Sequence, residues 1–149
     1  GDKWDRRYPE YVKAIEGCGM KVHDDLVVRF DAFEEGTEGI FDGFMAKAQV
    51  PCAVISDSNN LAFSLLKYAA RKGIKVPEQL AVIAIGSSRF ADLSYPSLST
   101  VQAPLYEMGY KGAEMLFDIM DGNIINDVVT LEWSFAPRDS SKLNRNAQL

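Results

Sequence analysis

The chain has 149 residues, of which 47% are hydrophobic and 25% are charged, a composition typical of a soluble globular protein with one ordinary domain. Its net charge of −5 at pH 7 argues against a bare nucleic-acid-binding surface. The longest apolar run, at 80–85, is far shorter than the roughly 20 residues that span a bilayer. The charged stretch 1–10 contains no apolar segment of a signal peptide. We therefore expect a cytoplasmic protein that makes no membrane contact.

The sequence shows no constellation of residues typical of metal binding or catalysis. Cys18 and Cys52 lie outside any Cys-x-x-Cys pattern, which favours two reduced thiols over one disulfide bridge. His23 has no cysteine or histidine at metal-ligand spacing, which favours a surface histidine. The sequence contains neither a Gly-x-Ser-x-Gly nucleophile elbow nor a phosphate-binding glycine loop. We predict a protein that is not an enzyme and that holds no metal or cofactor.

The first part of the chain alternates helical and strand-like patterns. Apolar spacing predicts helices at 5–17 and 34–48, and β-branched or apolar runs predict strands at 26–30, 52–56 and 79–86.

A third helix is predicted between the last two of these strands, because five apolar residues form one stripe: Leu61, Ala62, Leu65, Leu66 and Ala69. Ser58 or Asp57 can cap its N-terminus, Gly73 is suited to its C-terminal end, and Pro77 blocks its continuation. This repeat of strand and helix predicts an α/β fold with a doubly wound parallel sheet.

The pattern changes after residue 86. A polar and aromatic loop precedes a short predicted strand at 98–104, a helix at 105–122 and a last strand at 128–135. Gly109 and Gly112 lie on the apolar side of that helix, where each would cost roughly 1 kcal/mol in an exposed helix interior. We therefore expect this face to pack closely against another element.

Small polar residues follow two neighbouring predicted strands. The row 56–60 carries serine, aspartate and asparagine side chains, and 86–88 reads Gly-Ser-Ser. In open α/β sheets, ligands bind outside the carboxyl ends of the strands, where helix N-termini add donors. Asparagine offers both a donor and an acceptor, which suits a neutral polyhydroxylated or amide-bearing ligand. The alternative is that these residues only cap the helix and solvate a loop.

Residues 51–121 also carry motifs of a known family. "GIKVPE" at 73–78 and "PSLSTVQAP" at 96–104, followed by Met-Gly in the next helix, resemble the effector-binding region of the lactose-repressor and galactose-repressor (LacI/GalR) family. A looser match extends over 7–15 and 136–141.

The resemblance implies a type I periplasmic-binding-protein-like fold, in which two α/β lobes close on a small ligand. By that pattern 1–94 belong to the C-terminal lobe, 97–127 cross into the N-terminal lobe, 128–138 return as a strand, and 139–149 form a flexible tail. The rest of the N-terminal lobe and the DNA-binding headpiece would lie outside this chain. The apolar face of helix 105–121 would then be covered by a second chain or would repack.

The resemblance also implies site residues. Arg7 matches an effector-contacting arginine, while Ser58 and Asn59 match an Asn-Asp turn for which Asp57 could supply the carboxylate. Gly86 and Ser87 occupy the place of two aspartates, a departure that permits a larger, anionic or less hydroxylated ligand. The remaining candidates are aromatic stacking by Phe30 or Phe33, and a dimer interface through Phe63, Leu93 and Tyr95.

The sequence thus predicts the effector-sensing and dimerisation part of a LacI-type transcription regulator. Its partners would be a small-molecule effector, a second copy of the chain in a homodimer, and DNA only through a headpiece. The alternatives are a solute-binding protein of a transport system and the same sensor fused to a different output domain.

Overall fold

The computed structural model describes residues 7–28, 37–123 and 128–142. The chain divides into two compact units, Gly1–Ala48 and Gln49–Leu149. No helix within the described ranges is long and apolar enough to cross a membrane.

The described part of the first unit contains two helices and, between them in sequence, a short 3₁₀ turn. Helix α1 covers Arg7–Gly17, the turn covers Asp24–Leu26, and helix α2 covers Thr37–Lys47. The Tyr8 hydroxyl donates to the Asp24 carboxylate at 2.6 Å and so ties α1 to the turn.

The prediction of a strand at 26–30 is wrong for 26–28, the part that the structure describes. Leu26 ends the 3₁₀ turn, and Val27 and Val28 join no strand. The β-branched run satisfies the local pattern, but a strand also needs a neighbour to accept its backbone hydrogen bonds. Residues 29 and 30 lie outside the described ranges.

The second unit is built on a four-stranded sheet in the order β1-β2-β3-β4. The strands cover Cys52–Ser56, Leu80–Ile85, Ser99–Gln102 and Ser134–Ala136. The first three are parallel, with Val54 opposite Val82 and Ile83 opposite Ser99, and β4 runs antiparallel to β3. The predicted α/β class with a parallel sheet is confirmed.

Helix α3 covers Asn59–Lys72 and packs on β1 and β2. Its apolar stripe is buried together with alternate residues of β2, which makes the core of this unit: Ala62, Leu65, Leu66, Tyr68, Ala69, Leu80, Val82 and Ala84. The helix ends as predicted at Gly73, which adopts φ +70° and donates its N–H to the carbonyls of Ala69 and Ala70. That left-handed conformation favours glycine because it crowds a Cβ atom.

The last described residues are anchored rather than frayed, so the flexible tail predicted from residue 139 is wrong for 139–141. Ser140 is fully buried; its hydroxyl donates to the Val82 carbonyl at 2.6 Å and accepts the Ser99 N–H at 2.8 Å. Its backbone carbonyl accepts the Val82 N–H at 2.8 Å. Ser140 therefore forms hydrogen bonds with β2 at Val82, beside Ser99, the first residue of β3. The end of the predicted tail, from 143, lies outside the described ranges.

Arg138 strengthens this anchor. Its guanidinium donates to the Leu98 carbonyl and to the Thr100 hydroxyl, both at 2.9 Å, and it forms a salt bridge with Asp92. The loop after β2 is thereby tied to β3 and to the segment that follows β4. The final strand is shorter than the predicted 128–135, since only Ser134–Ala136 pair with β3.

Helix α4 covers Leu105–Met120 and has no buried residue. None of the other described helices or strands packs against it. Most of its apolar side chains are exposed, including Leu116 at 57% and Met120 at 71%, while Met115 is half-buried. The apolar face of α4 therefore has not repacked against the described part of this chain. That a second chain covers this face stays a prediction.

Candidate functional site

The candidate site lies where β1 and β2 end and α3 begins. We call Asp57, Ser58, Asn59, Gly86 and Ser87 the strand-end cluster. The carboxyl ends of parallel strands lie at the same edge of a sheet, and the pairing of Ser56 with Ala84 places the two chain segments side by side there.

Ser56, the last residue of β1, has a structural role. Ser56 is buried, with an exposure of 3%, and its hydroxyl donates to the Ser58 carbonyl at 2.8 Å. The same hydroxyl accepts the Ser58 N–H at 3.3 Å. Both partners belong to the turn, so Ser56 shapes the start of α3.

Ser58, one of the two residues predicted to cap α3, is its N-cap residue, with extended backbone angles of φ −136° and ψ 132°. Its hydroxyl makes no capping hydrogen bond. The expected side-chain cap is therefore absent at this position, and the Ser58 carbonyl accepts the Ala62 N–H at 3.0 Å. The half-buried Ser58 hydroxyl is not committed to the helix end.

Asn59 and Gly86 lie in contact. A Cβ atom added to Gly86 would stand 2.9 Å from Asn59 Nδ2, closer than real Cβ atoms approach such a neighbour. Gly86 also adopts φ +131°, a conformation that L side chains rarely take, while its N–H donates to the Val101 carbonyl at 2.8 Å. The Oδ1 atom of Asn59 is buried and has no hydrogen-bond partner among the described residues. The cluster therefore contains a buried polar atom whose hydrogen-bonding capacity no described residue uses.

The other two cluster residues lie nearer to solvent. Ser87 is exposed, and its hydroxyl donates weakly to the Ala103 carbonyl at 3.3 Å, just beyond the end of β3. Asp57 is exposed as well. Polar groups thus reach the edge of the sheet at three successive strand ends.

The structure describes one of the three other residues that are predicted to contact the ligand. Arg7 is exposed on α1 in the first unit, and its effector role stays a prediction. Phe30 and Phe33, predicted to stack on a ligand, lie outside the described ranges.

The residues predicted to form a dimer interface differ in the exposure of their side chains. Leu93 and Tyr95 are 79% and 96% exposed on the loop after β2, whereas Phe63 is half-buried on α3. Phe90 on the same loop is also exposed, with the Arg89 guanidinium 5.0 Å from its ring centroid. The loop therefore exposes three large apolar side chains, whereas Phe63 on α3 is partly covered.

Within the described ranges, no cluster of three or more histidine, cysteine, aspartate or glutamate residues could hold a metal ion. The chemistry of the strand-end cluster is that of neutral hydrogen bonding, since amide, hydroxyl and backbone groups predominate over the single carboxylate of Asp57.

Two features of this region were not predicted from the sequence. One is the contact of Asn59 with Gly86, for which the glycine at a strand end was the only local signal. The other is the salt bridge between Arg138 and Asp92. The related signal in the sequence is the "APRDSS" motif at 136–141, which matches the family loosely.

Comparison with known proteins places this architecture in a family. Residues 2–141 match the model of the periplasmic binding protein-like domain. The HTH-type transcriptional repressor CytR of Escherichia coli K12 is 33% identical over 117 residues, which cover 78% of this chain and 34% of CytR. Catabolite control protein A of Staphylococcus aureus Mu50 is 32% identical over 109 residues, which cover 73% of this chain and 32% of that protein.

Two solved structures have a fold similar to that of this chain. The transcriptional regulator CelR in its cellobiose complex superposes with a TM-score of 0.78 at 26% identity, over 91% of this chain and 42% of CelR. The transcription regulator CcpA of Lactococcus lactis gives 0.80 at 23% identity, over 91% and 50% of the two chains, and supports the fold alone.

The chain spans about a third of the length of these curated relatives. The matched motifs, the parallel sheet and these likenesses together show that the chain belongs to the periplasmic-binding-protein-like domain family and corresponds to the C-terminal portion of a LacI/GalR-type effector-binding domain.

Proposed function

We propose that this chain is the effector-sensing and dimerisation part of a LacI-type transcription regulator and that it binds a small molecule at the strand-end cluster. The observation that carries the proposal is the buried Oδ1 of Asn59, which has no hydrogen-bond partner among the described residues and lies beside Gly86, at the edge where such folds bind ligands. The names of the matched relatives, a repressor and a catabolite control protein, support a regulatory rather than an enzymatic role.

The ligand is a sugar or a related polar metabolite. The cellobiose complex of CelR shows that one protein of this fold binds a sugar, which supports the class. Hydroxyl and amide groups of the cluster form neutral hydrogen bonds that suit such a molecule.

The loop after β2 contributes to a homodimer. Leu93 and Tyr95 expose almost their whole side chains, and large exposed apolar side chains grouped on one loop are typical of interaction surfaces. The salt bridge from Asp92 to Arg138 ties this loop to the segment that follows β4.

DNA binding belongs to a headpiece outside this chain, in keeping with the net charge of −5. Ligand binding would favour one arrangement of the regulator and so change its affinity for DNA, because a ligand shifts an equilibrium by its differential affinity for the two states. A cytoplasmic location follows from this role.

A thermal-shift screen of sugars, purines and sugar phosphates tests the sensor function. A ligand at 100 times its Kd stabilises the native state by about 2.7 kcal/mol, which is readily measured as a rise in Tm. Asn59→Ala should reduce that rise, whereas Lys67→Ala, an exposed substitution on α3, should leave it unchanged. A screen without any hit, or a hit with the same affinity for both variants, would contradict the proposal.

Sedimentation analysis tests the dimer separately. Tyr95→Asp places a charge on the exposed loop and should shift the protein toward the monomer, while Lys67→Asp should not. A wild-type protein that is monomeric at high micromolar concentration would refute this half of the proposal.

A further inference from the structure

The loop at 88–95 is closed by hydrogen bonds of its own. The N–H groups of Leu93 and Ser94 both donate to the Phe90 carbonyl at 3.1 Å. Apart from one salt bridge, the other hydrogen bonds described for this loop also end within 88–98, on backbone and hydroxyl groups. These bonds shape the loop, but they do not connect it to a distant part of the chain.

The salt bridge supplies that connection. It joins Asp92 to Arg138, 46 residues further along the chain. The Arg138 guanidinium also donates to the Leu98 carbonyl and to the Thr100 hydroxyl, both at 2.9 Å. A guanidinium is a planar fork of donors, so these two bonds set its direction. Only 15% of the Arg138 side chain is exposed, against 70% of the Asp92 side chain, which makes Arg138 the fixed partner.

Burial anchors only the base of the loop. Ala91 and Leu98 are both 0% exposed, and the Leu98 N–H donates to the Ala91 carbonyl at 2.8 Å. Asp92 follows directly, so the salt bridge acts where the chain leaves this buried base. Leu93 and Tyr95 lie beyond that point and are 79% and 96% exposed, so packing within the described chain contributes little to their positions.

We infer that Asp92 and Arg138 are positioning residues of the dimer surface. Their salt bridge fixes the exposed apolar side chains of the loop in the arrangement that docks against a second copy of the chain. The inference rests on the proposed dimerisation. A surface that is ordered before association loses less conformational entropy when it binds. An exposed salt bridge contributes little to the stability of the fold itself, so the effects on association and on unfolding can be measured apart.

Loop mobility gives a readout that needs no dimer. In the Tyr95→Asp background, which we expect to be monomeric, Asp92→Ala should raise the rate of tryptic cleavage after the exposed Arg89 at least about threefold, since cleavage requires the loop to open. Asp139→Ala is the matched control, because it removes an exposed carboxylate that accepts the Ser97 hydroxyl at 2.7 Å, outside the loop. An unchanged rate for Asp92→Ala, or an equal rise for Asp139→Ala, would overturn the inference.

Dimer affinity, measured by sedimentation, gives the second readout. Asp92→Ala should raise the dimer Kd about tenfold while Tm stays within about 3 °C of the wild type, and Asp139→Ala should change neither. Arg138→Lys keeps the charge but loses the fork of donors, so it should also raise the Kd. Both changes break one contact, so the loss in the double variant should fall well short of the product of the two single losses. Losses that multiply would mean that Asp92 contacts the partner directly, which would overturn the positioning role.

The outcomes separate the two proposals. A wild type that dimerises with the same Kd as Asp92→Ala would overturn the positioning role and leave the proposed dimer standing. A wild type that stays monomeric at high micromolar concentration would refute the proposed dimer and this inference with it.

Discussion

Ser140→Ala should destabilise the second unit far more than a typical serine substitution. The Ser140 hydroxyl is fully buried, donates to the Val82 carbonyl at 2.6 Å and accepts the Ser99 N–H at 2.8 Å. Its loss leaves one buried acceptor and one buried donor unpaired between β2 and β3. Each such group costs about 1–3 kcal/mol, so the expected loss in the free energy of unfolding is about 3 kcal/mol.

Urea unfolding followed by circular dichroism measures this loss. With an m-value of about 2 kcal/mol/M, the midpoint should fall by about 1.5 M while m stays unchanged. Ser64→Ala is the matched control, because the Ser64 hydroxyl donates to the Asn60 carbonyl in an exposed part of α3. Its effect should lie within about 0.5 kcal/mol.

Amide hydrogen exchange locates the effect. The Ser99 N–H loses its acceptor in Ser140→Ala and should exchange faster, whereas the Val82 N–H, which donates to the Ser140 backbone carbonyl, keeps its partner. A loss below about 1 kcal/mol, together with unchanged exchange at Ser99, would refute the conclusion that this residue anchors the chain end.

Two further predictions concern the backbone and the cysteines. Gly73→Ala should destabilise α3 by about 1–2 kcal/mol, because Gly73 adopts φ +70° at the helix end; a neutral result in thermal unfolding would contradict that geometry. Burial raises the pKa of the Cys52 thiol, so less of the reactive thiolate forms at pH 8, and Cys52 should react more slowly with Ellman's reagent than the exposed Cys18. The Cys52 rate should climb as the pH rises toward that raised pKa, and single-cysteine variants distinguish the two thiols; equal rates at pH 8 would disprove the prediction.

The sequence by itself determined the elements whose signals are local. The apolar stripe and Gly73 predict α3 and its end, because both the 3.6-residue period and the left-handed glycine are properties of a few consecutive residues. The apolar runs likewise predict β1 and β2, and the motifs at 73–78 and 96–104 together indicate the family.

Tertiary structure alone decided the features that depend on distant partners. The run that begins at Leu26 has strand propensity, but Leu26 is the last residue of a 3₁₀ turn. The segment beyond Arg138 is polar in sequence, yet Ser140 is 0% exposed. A serine hydroxyl is buried only where a backbone N–H and carbonyl are available to it, and those of Ser99 and Val82 lie 41 and 58 residues away in sequence. The contact of Asn59 with Gly86 has the same origin, because parallel strands bring together chain segments that no local pattern relates.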